Sequence, residues 1–529
     1  MLRRTLARRE LSSLAGFSAE GAHRFVRQYH LSSPLVRLGL FGTLLLGVLV
    51  PGPVLHKGAI GALIRLLRSA LELHREVTDS PESDVSTADD RLKWRPSSIG
   101  GSASFDEIVV GSGPGGAVAA LVATLSGRRV LVIEEGRAPS NCSSHSVNQL
   151  LLDFRFAGQQ VILGAPVVPF AEGAVLGGGS EVNSGLYHRV PPHVLEHWLS
   201  ATGATIEEWQ SAVDDVEQRL PINIQPNSSL GVYANSPIPR IAEVLEWQSS
   251  VIPRWRTYDG KNYRHHGMLD TYLKSAEEAG AVIIGDARVA RIEMERSGSS
   301  VKVITQDATF RSENVVVAGG TLGTPDILAR SGLFPLRRSS FGFHLMSKVA
   351  VRFPFAINDF TDIDPHQAWR SGGSAKLGVS ASTPEILQST FAGLGVETRR
   401  VDEQCGVYYV SIPASGRGGL VRAGGSVQPW FRMDERTRRE IEAKTVDLEA
   451  AVEAVGGEVL ARSRRVYSTV HIFGSLPIGT TAAVDEHGVV RGTKGRIRVS
   501  DASLLPLAPA VNPQGPLMHL ATLLARRAP

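Results

Sequence analysis

Read as apolar against polar positions, the chain changes character at about Phe105. Ahead of it, Leu38–Val50 is an uncharged apolar run closed by Pro51-Gly52-Pro53. Thirteen residues are too few to span hydrocarbon, and the prolines stop a helix from lengthening the run. Ile60, Leu63, Ile64, Leu67 and Leu71 then recur at helical spacing with Arg65 and Arg68 among them, which predicts a basic amphipathic helix. Glu76–Asp90, rich in Ser, Asp, Glu and Pro, reads as a solvated linker. From Phe105 the pattern turns to alternating strands and helices. Ile108-Val109-Val110 is a buried-strand run, Ala117 to Leu125 an alanine-rich helix ended by Gly127, and Val130–Ile133 a second strand finished by Glu134. Val315–Ala318 and Val466–Val470 read as further strands, and Leu517–Leu524 as a C-terminal helix.

Composition adds limits. With 529 residues, 43% hydrophobic and 20% charged, the chain is globular in character and long enough for more than one domain. Its net charge of +4 is uneven: residues 1–75 carry +8, leaving −4 for the rest. The basicity belongs to an arm, and no basic stripe interleaved with aromatics follows, so nucleic-acid binding is not expected. Cys142 and Cys405 lie far apart without metal-ligand spacing, and neither a metal nor a disulfide framework is expected. No small-x-small cleavage site follows the apolar run, and the early arginine pairs lie too far from it for a twin-arginine signal. Secretion is not supported. The expectation is a cytoplasmic location, with the amphipathic helix packed on the body or, as the alternative, making peripheral contact with an anionic membrane. Oligomeric state is not legible.

The candidate chemistry begins where the first strand meets Gly111-Ser-Gly113-Pro-Gly115-Gly116. Gly111 suits a tight turn, Gly113 lets backbone approach a pyrophosphate, and Gly116 lets helix and strand pack closely. The helix N-terminus supplies N–H donors to phosphate, and Glu134, 18 residues past Gly116, suits an adenosine ribose. An acid there disfavours a 2′-phosphate but does not separate NAD from FAD. A second glycine loop, Leu176 to Gly185 with Gly178, Gly179, Ser180 and Asn183, offers backbone to a flat ring and small polar groups beside it. A nicotinamide enzyme has no need of such a loop, although by itself it is also the pattern of a plain turn cluster.

Five blocks together resemble the glucose–methanol–choline (GMC) oxidoreductases, in pattern closest to the cholesterol oxidase and long-chain alcohol oxidase branches. They are the fingerprint ending Glu134-Glu135-Gly136, the Leu176–Asn183 loop in its Gly-Gly-Gly-Ser-x-Val-Asn form, Gly319–Leu328 running on to Ser331-Gly332, His471–Gly479, and Val499–Pro506 with Val511-Asn512-Pro513. Phe334 stands where a glycine is usual, and the Cys-Arg-Met of many members is missing beside His471. The resemblance runs from about Phe105 to the C-terminus. Little is recognisable between Phe341 and Tyr467, where the family places its substrate sheet.

What the resemblance implies is an α/β fold: a Rossmann-like FAD-binding domain (104–190, 261–333 and 465–529) interleaved with an α+β substrate domain on an antiparallel sheet (191–260 and 334–464). The arm, 1–103, falls outside it. It also implies bound FAD, a small-molecule alcohol as substrate, His471 as the base and Asn512 as its partner on the substrate oxygen. Imidazole suits the base because its pKa lies near operating pH. Asp501, Ala502 and Pro513 are expected by the flavin, Asp501 mostly through backbone, unless its carboxylate only caps the following turn. Val289 is expected to meet adenine through backbone, unless it is a plain sheet residue. His519 is read as structural. The substrate expected is sterol-like or long-chain. The alternatives are a flavin-bearing lyase using the same histidine and a non-catalytic, membrane-associated FAD protein.

Overall fold

The computed structural model describes residues 95–96, 104–139, 153–158, 160–260, 262–295, 298–381, 383–396, 401–423, 426–463, 467–479 and 483–528. The apolar run, the amphipathic helix and the acidic linker of the arm lie outside the described residues. Arg95–Pro96, assigned to the arm from sequence, instead pairs in parallel with Val282–Gly285 at the edge of the first sheet.

That sheet has eight strands. Ser104–Val110 lies at its centre between Val130–Ile133 and Thr309–Val317, all parallel, and Ile497–Val499 also joins Thr309–Val317 in parallel. Val289–Met294 and Val301–Thr305 complete it as an antiparallel pair. Runs such as Val130-Leu131-Val132-Ile133 show no alternation because helices cover both faces: every residue is buried. The helix Pro114–Leu125 packs on one face, with Ala117, Ala120 and Leu121 in the same cluster as Met518 and Ala521 of the helix Gln514–Arg526. Its alanines and Gly115-Gly116 let it approach the strands closely. A Cβ on Gly116 would stand 2.0 Å from the carbonyl oxygen of Gly111.

The second sheet has seven strands and is antiparallel, as expected for a substrate sheet. Gly342–Arg352 lies between Cys405–Pro413 and Glu458–Arg462, and Lys376–Ala381 follows beyond Cys405–Pro413. The helix Glu435–Ala454 covers one face through Ile441, Leu448 and Val452. Two smaller sheets complete the strands of the described residues. One correction concerns Val466–Val470. Its described part contains only an isolated bridge from Ser468 to Met346, and the regular strand is Ile472–Phe473, paired with Gly342 and Phe343. Thr469 turns the backbone here by accepting the His471 N–H on its own hydroxyl. The architecture is otherwise the expected α/β type, with a parallel cofactor sheet beside an antiparallel one. The strand Val289–Met294 and the C-terminal helix both form.

Gly116→Ala should cost about 1–3 kcal/mol, the range for overpacking a tight contact. Urea unfolding measures it, and an unchanged midpoint would show that the helix has room to shift.

Candidate active site

A cavity of about 560 Å3 runs between the two sheets. Its long arm begins at the fingerprint. The helix Pro114–Leu125 opens without a side-chain cap, because Gly113 is its N-cap, so its first N–H groups face the cavity unpaired by a side chain. The two glycine loops meet there: a Cβ on Gly178 would lie 2.8 Å from the Gly113 Cα. A methyl group on Gly178 would push the loops apart, whereas one on Gly113 would make only ordinary contact. Gly111, Gly113, Gly178 and Gly179 all line the cavity, whereas Gly116 lies behind it in the helix–strand contact.

Glu134 is buried and also lines the cavity. Its Oε2 accepts from the Ser112 N–H at 2.9 Å and the Ser112 hydroxyl at 2.7 Å, and its Oε1 accepts from the Gly136 N–H at 2.9 Å. Burial, then the neighbouring Glu135, push its carboxyl up, and these donors pull the other way. Ser112 in turn accepts the Gly177 N–H at 3.0 Å, tying the acid to the second glycine loop. Ser112 escaped sequence reasoning because the motif leaves that position free.

Ser180, expected at the cofactor, sits behind the wall. Its hydroxyl donates to the Gly177 carbonyl at 2.8 Å and accepts the Met268 N–H at 2.9 Å, so it fastens the loop from the rear. Asn183 is exposed on the cavity wall and donates to Gln514 Oε1 at 2.5 Å. Val289 lines the cavity, and its carbonyl accepts from Arg330 Nη1 at 3.2 Å. Asp501 is a capping carboxylate as well as a lining residue. It accepts the Gly320 and Ser503 N–H groups at 2.9 Å each and the Thr324 and Ser503 hydroxyls. Ala502 and Pro513 line the same wall. Arg155, not singled out from sequence, also lines it and pairs with Glu135 and Glu172.

At the far end the second sheet contributes to the lining. His471 and Asn512, 41 residues apart, line the same cavity, as do Lys376, Tyr409 and Ser411. Pairing of Gly342–Arg352 with Ile472–Phe473 brings His344 beside His471: the Nδ1 atoms are 3.3 Å apart, and the His344 N–H donates to the His471 carbonyl at 3.1 Å. Burial holds His471 well below the usual imidazole range, and His344, Lys376 and His188 lower it further. Burial also lowers His188 and His344 to about 3, so all three rings are neutral near pH 7. Lys376 reaches across from the antiparallel sheet to donate to Asn512 Oδ1. His519 is fully buried away from the cavity against Tyr187, whose hydroxyl lies 2.9 Å from its Nε2.

These features fit a dinucleotide flavin. A Cβ on Gly179, Gly320 or Gly323 meets nothing within 4 Å, and all three glycines line the cavity, so side chains there would fill the cradle. The helix N-terminus and Glu134 supply what a pyrophosphate and a ribose require.

Comparison with known proteins agrees. Models of the GMC oxidoreductase family match residues 105–347 with their N-terminal part and 427–521 with their C-terminal part. A GMC-type oxidoreductase of Mycobacterium tuberculosis is 29% identical over 476 residues, 79% of this chain and 75% of that protein. A long-chain-alcohol oxidase of Arabidopsis thaliana is 24% identical over 515 residues, 80% of this chain and 67% of that one. Among solved structures, pyridoxine 4-oxidase from Mesorbium loti superposes with a TM-score of 0.62 at 17% identity, covering 80% of this chain and 98% of its own. At that identity the likeness shows the fold.

Glu134→Gln would turn an amide NH2 against donors that now meet a carboxylate. FAD affinity should fall at least about tenfold, the equivalent of one unsatisfied buried group. Fluorescence titration of FAD-depleted protein measures it, and wild-type affinity would remove Glu134 from the cofactor site.

Proposed function

The chain belongs to the GMC oxidoreductase family of FAD-dependent enzymes that oxidise alcohols, and on that premise we propose that it acts on the CH–OH group of a lipophilic alcohol, sterol-like or long-chain, with His471 as the proton acceptor. The observation that carries the reading is that His471 lines the same cavity as Asn512, with burial holding its imidazole well below the usual range. A substrate hydroxyl between them donates to a ring nitrogen of His471 and accepts from the Asn512 amide. When bound, FAD supplies the two-electron acceptor for the hydride on the carbinol carbon. The protein orients the alcohol, excludes water and takes the hydroxyl proton.

His344 orients His471 for the role of base. Its Nδ1 engages the Nδ1 of His471, which leaves Nε2 as the free ring nitrogen. With the His471 proton on Nδ1, Nε2 carries the lone pair, and the Nδ1–H···Nδ1 contact strengthens as the ring gains charge. The lipophilic substrate is supported by Leu322, Met346, Val379, Val427, Val470 and Ile472 on the cavity wall. The similarity to long-chain-alcohol oxidases supports it as well.

Mixing the FAD-loaded protein anaerobically with a panel of alcohols should bleach the flavin fastest with long-chain or sterol alcohols. Short polar alcohols reacting fastest would overturn the substrate class, and turnover of a cyanohydrin without bleaching would point to a lyase. His471→Ala should lower the bleaching rate by about 10²–10⁴-fold, the usual worth of a general base, while FAD stays bound. Because burial lowers the His471 pKa, its ring stays unprotonated as pH falls from 8 to 6. The log of kcat/KM should therefore not decline over that interval, and an acid limb with a pKa near 6.5 would count against a depressed histidine.

A further inference from the structure

Lys376 is a charged group at this end of the cavity that the mechanism above does not use. It is 4% exposed, lies on the strand Lys376–Ala381 opposite Ser411, and lines the cavity with His471 and Asn512. No carboxylate pairs with it among the described residues. Its hydrogen-bond partner is Asn512 Oδ1. A buried ammonium left with an amide oxygen alone is an expensive arrangement, and such arrangements persist where they serve a purpose.

The chemistry of the pair dictates its geometry. An ammonium has three donors and no acceptor, so the Asn512 atom it meets is the carbonyl oxygen. The amide is therefore held one way round, with Nδ2 turned from Lys376 and without an acceptor among the described residues. An asparagine free to flip offers an incoming hydroxyl either a donor or an acceptor; this one offers a donor. His471, which lines the same cavity and whose imidazole burial keeps from protonating, offers the complementary acceptor. Together they fit a hydroxyl in one orientation, with its hydrogen on His471 and its oxygen under the Asn512 N–H. As the O–H bond breaks and the proton passes to His471, negative charge grows on that oxygen. The positive charge behind the amide carbonyl polarises the N–H toward it.

We propose that Lys376 is a positioning residue for alcohol oxidation, holding the Asn512 amide so that Nδ2 donates to the substrate oxygen. The inference rests on the reading that His471 and Asn512 flank the alcohol. Burial lowers the lysine to about 7, so the ammonium persists up to neutral pH despite its surroundings.

The test compares two neutral replacements of similar size in the FAD-loaded protein. Lys376→Gln keeps an N–H for Asn512 Oδ1, and Lys376→Met keeps none. Anaerobic flavin reduction by a saturating alcohol should slow about 100-fold in Lys376→Met, the scale of losing one oriented donor, with the half-saturating alcohol concentration shifted less than about threefold. Lys376→Gln should be at least about tenfold faster than Lys376→Met, since it still offers Asn512 Oδ1 an N–H, without the charge. Equal rates in the two variants, or a Lys376→Met rate near wild type, would overturn the proposal. Should Lys376→Met fail to hold FAD, Lys376→Ala with added propylammonium replaces it. Recovery is then expected with propylammonium and absent with tetramethylammonium, which has no N–H; equal recovery, or none with either, refutes the donor role. His471→Ala separates the two readings. If that variant is as fast as wild type, the proposed base is wrong; if it is inactive while Lys376→Met is normal, only the role of Lys376 fails.

Discussion

The carboxylate of Glu134 holds the cofactor half of the molecule in register. It ends one central strand, takes two hydrogen bonds from Ser112 at the end of its neighbour and a third from Gly136, and through Ser112 reaches the Gly177 N–H of the second glycine loop. A buried carboxylate without such donors would be costly. With them, it fixes the spacing of two loops that meet glycine to glycine at Gly113 and Gly178. The width of the cavity at that end follows from this spacing, and the helix N-terminus is aimed by it.

The opposite end depends on a different constraint. Three imidazoles and one ammonium, at His188, His344, His471 and Lys376, gather where burial favours uncharged forms. Burial, with His344, Lys376 and His188, lowers the proton affinity of His471 and keeps its ring neutral. Placing a carboxylate in such a group would reverse this, because a paired imidazolium would already carry the proton. The polarity of the site is thus opposite to that of a carboxylate-backed histidine.

The two ends differed in how far the chain alone revealed them. The fingerprint, Glu134 and the second glycine loop are local patterns whose spacing carries their geometry, and the strands and helix around them formed where hydrophobic runs placed them. Ser180 shows the limit of that reading: a serine in a glycine loop reads alike whether it faces a ligand or, as here, ties the loop from behind. His344 and Lys376 lie between Phe341 and Tyr467, where no motif is recognisable. Their placement comes from strand register, Phe343 against Ile472 and Lys376 against Ser411, which is set by pairing across long separations and leaves no local trace. The strand expected at Val466–Val470 was displaced for a related reason, since the Thr469 hydroxyl competes with the sheet for the His471 N–H.

The packing of Pro114–Leu125 against Gln514–Arg526 also bears on how the protein is made. The helix that presents its N-terminus to the cavity buries part of its alanine face on a segment some 400 residues further along the chain. On a ribosome adding roughly 5–20 residues per second, that partner emerges tens of seconds after the fingerprint does. Through that interval the early strands and their helix have an apolar flank open to water and to other nascent chains. Asn512 emerges 41 residues after His471 and just ahead of that helix, so this wall of the cavity closes only in a chain whose late segment has folded back beside its first glycine loop.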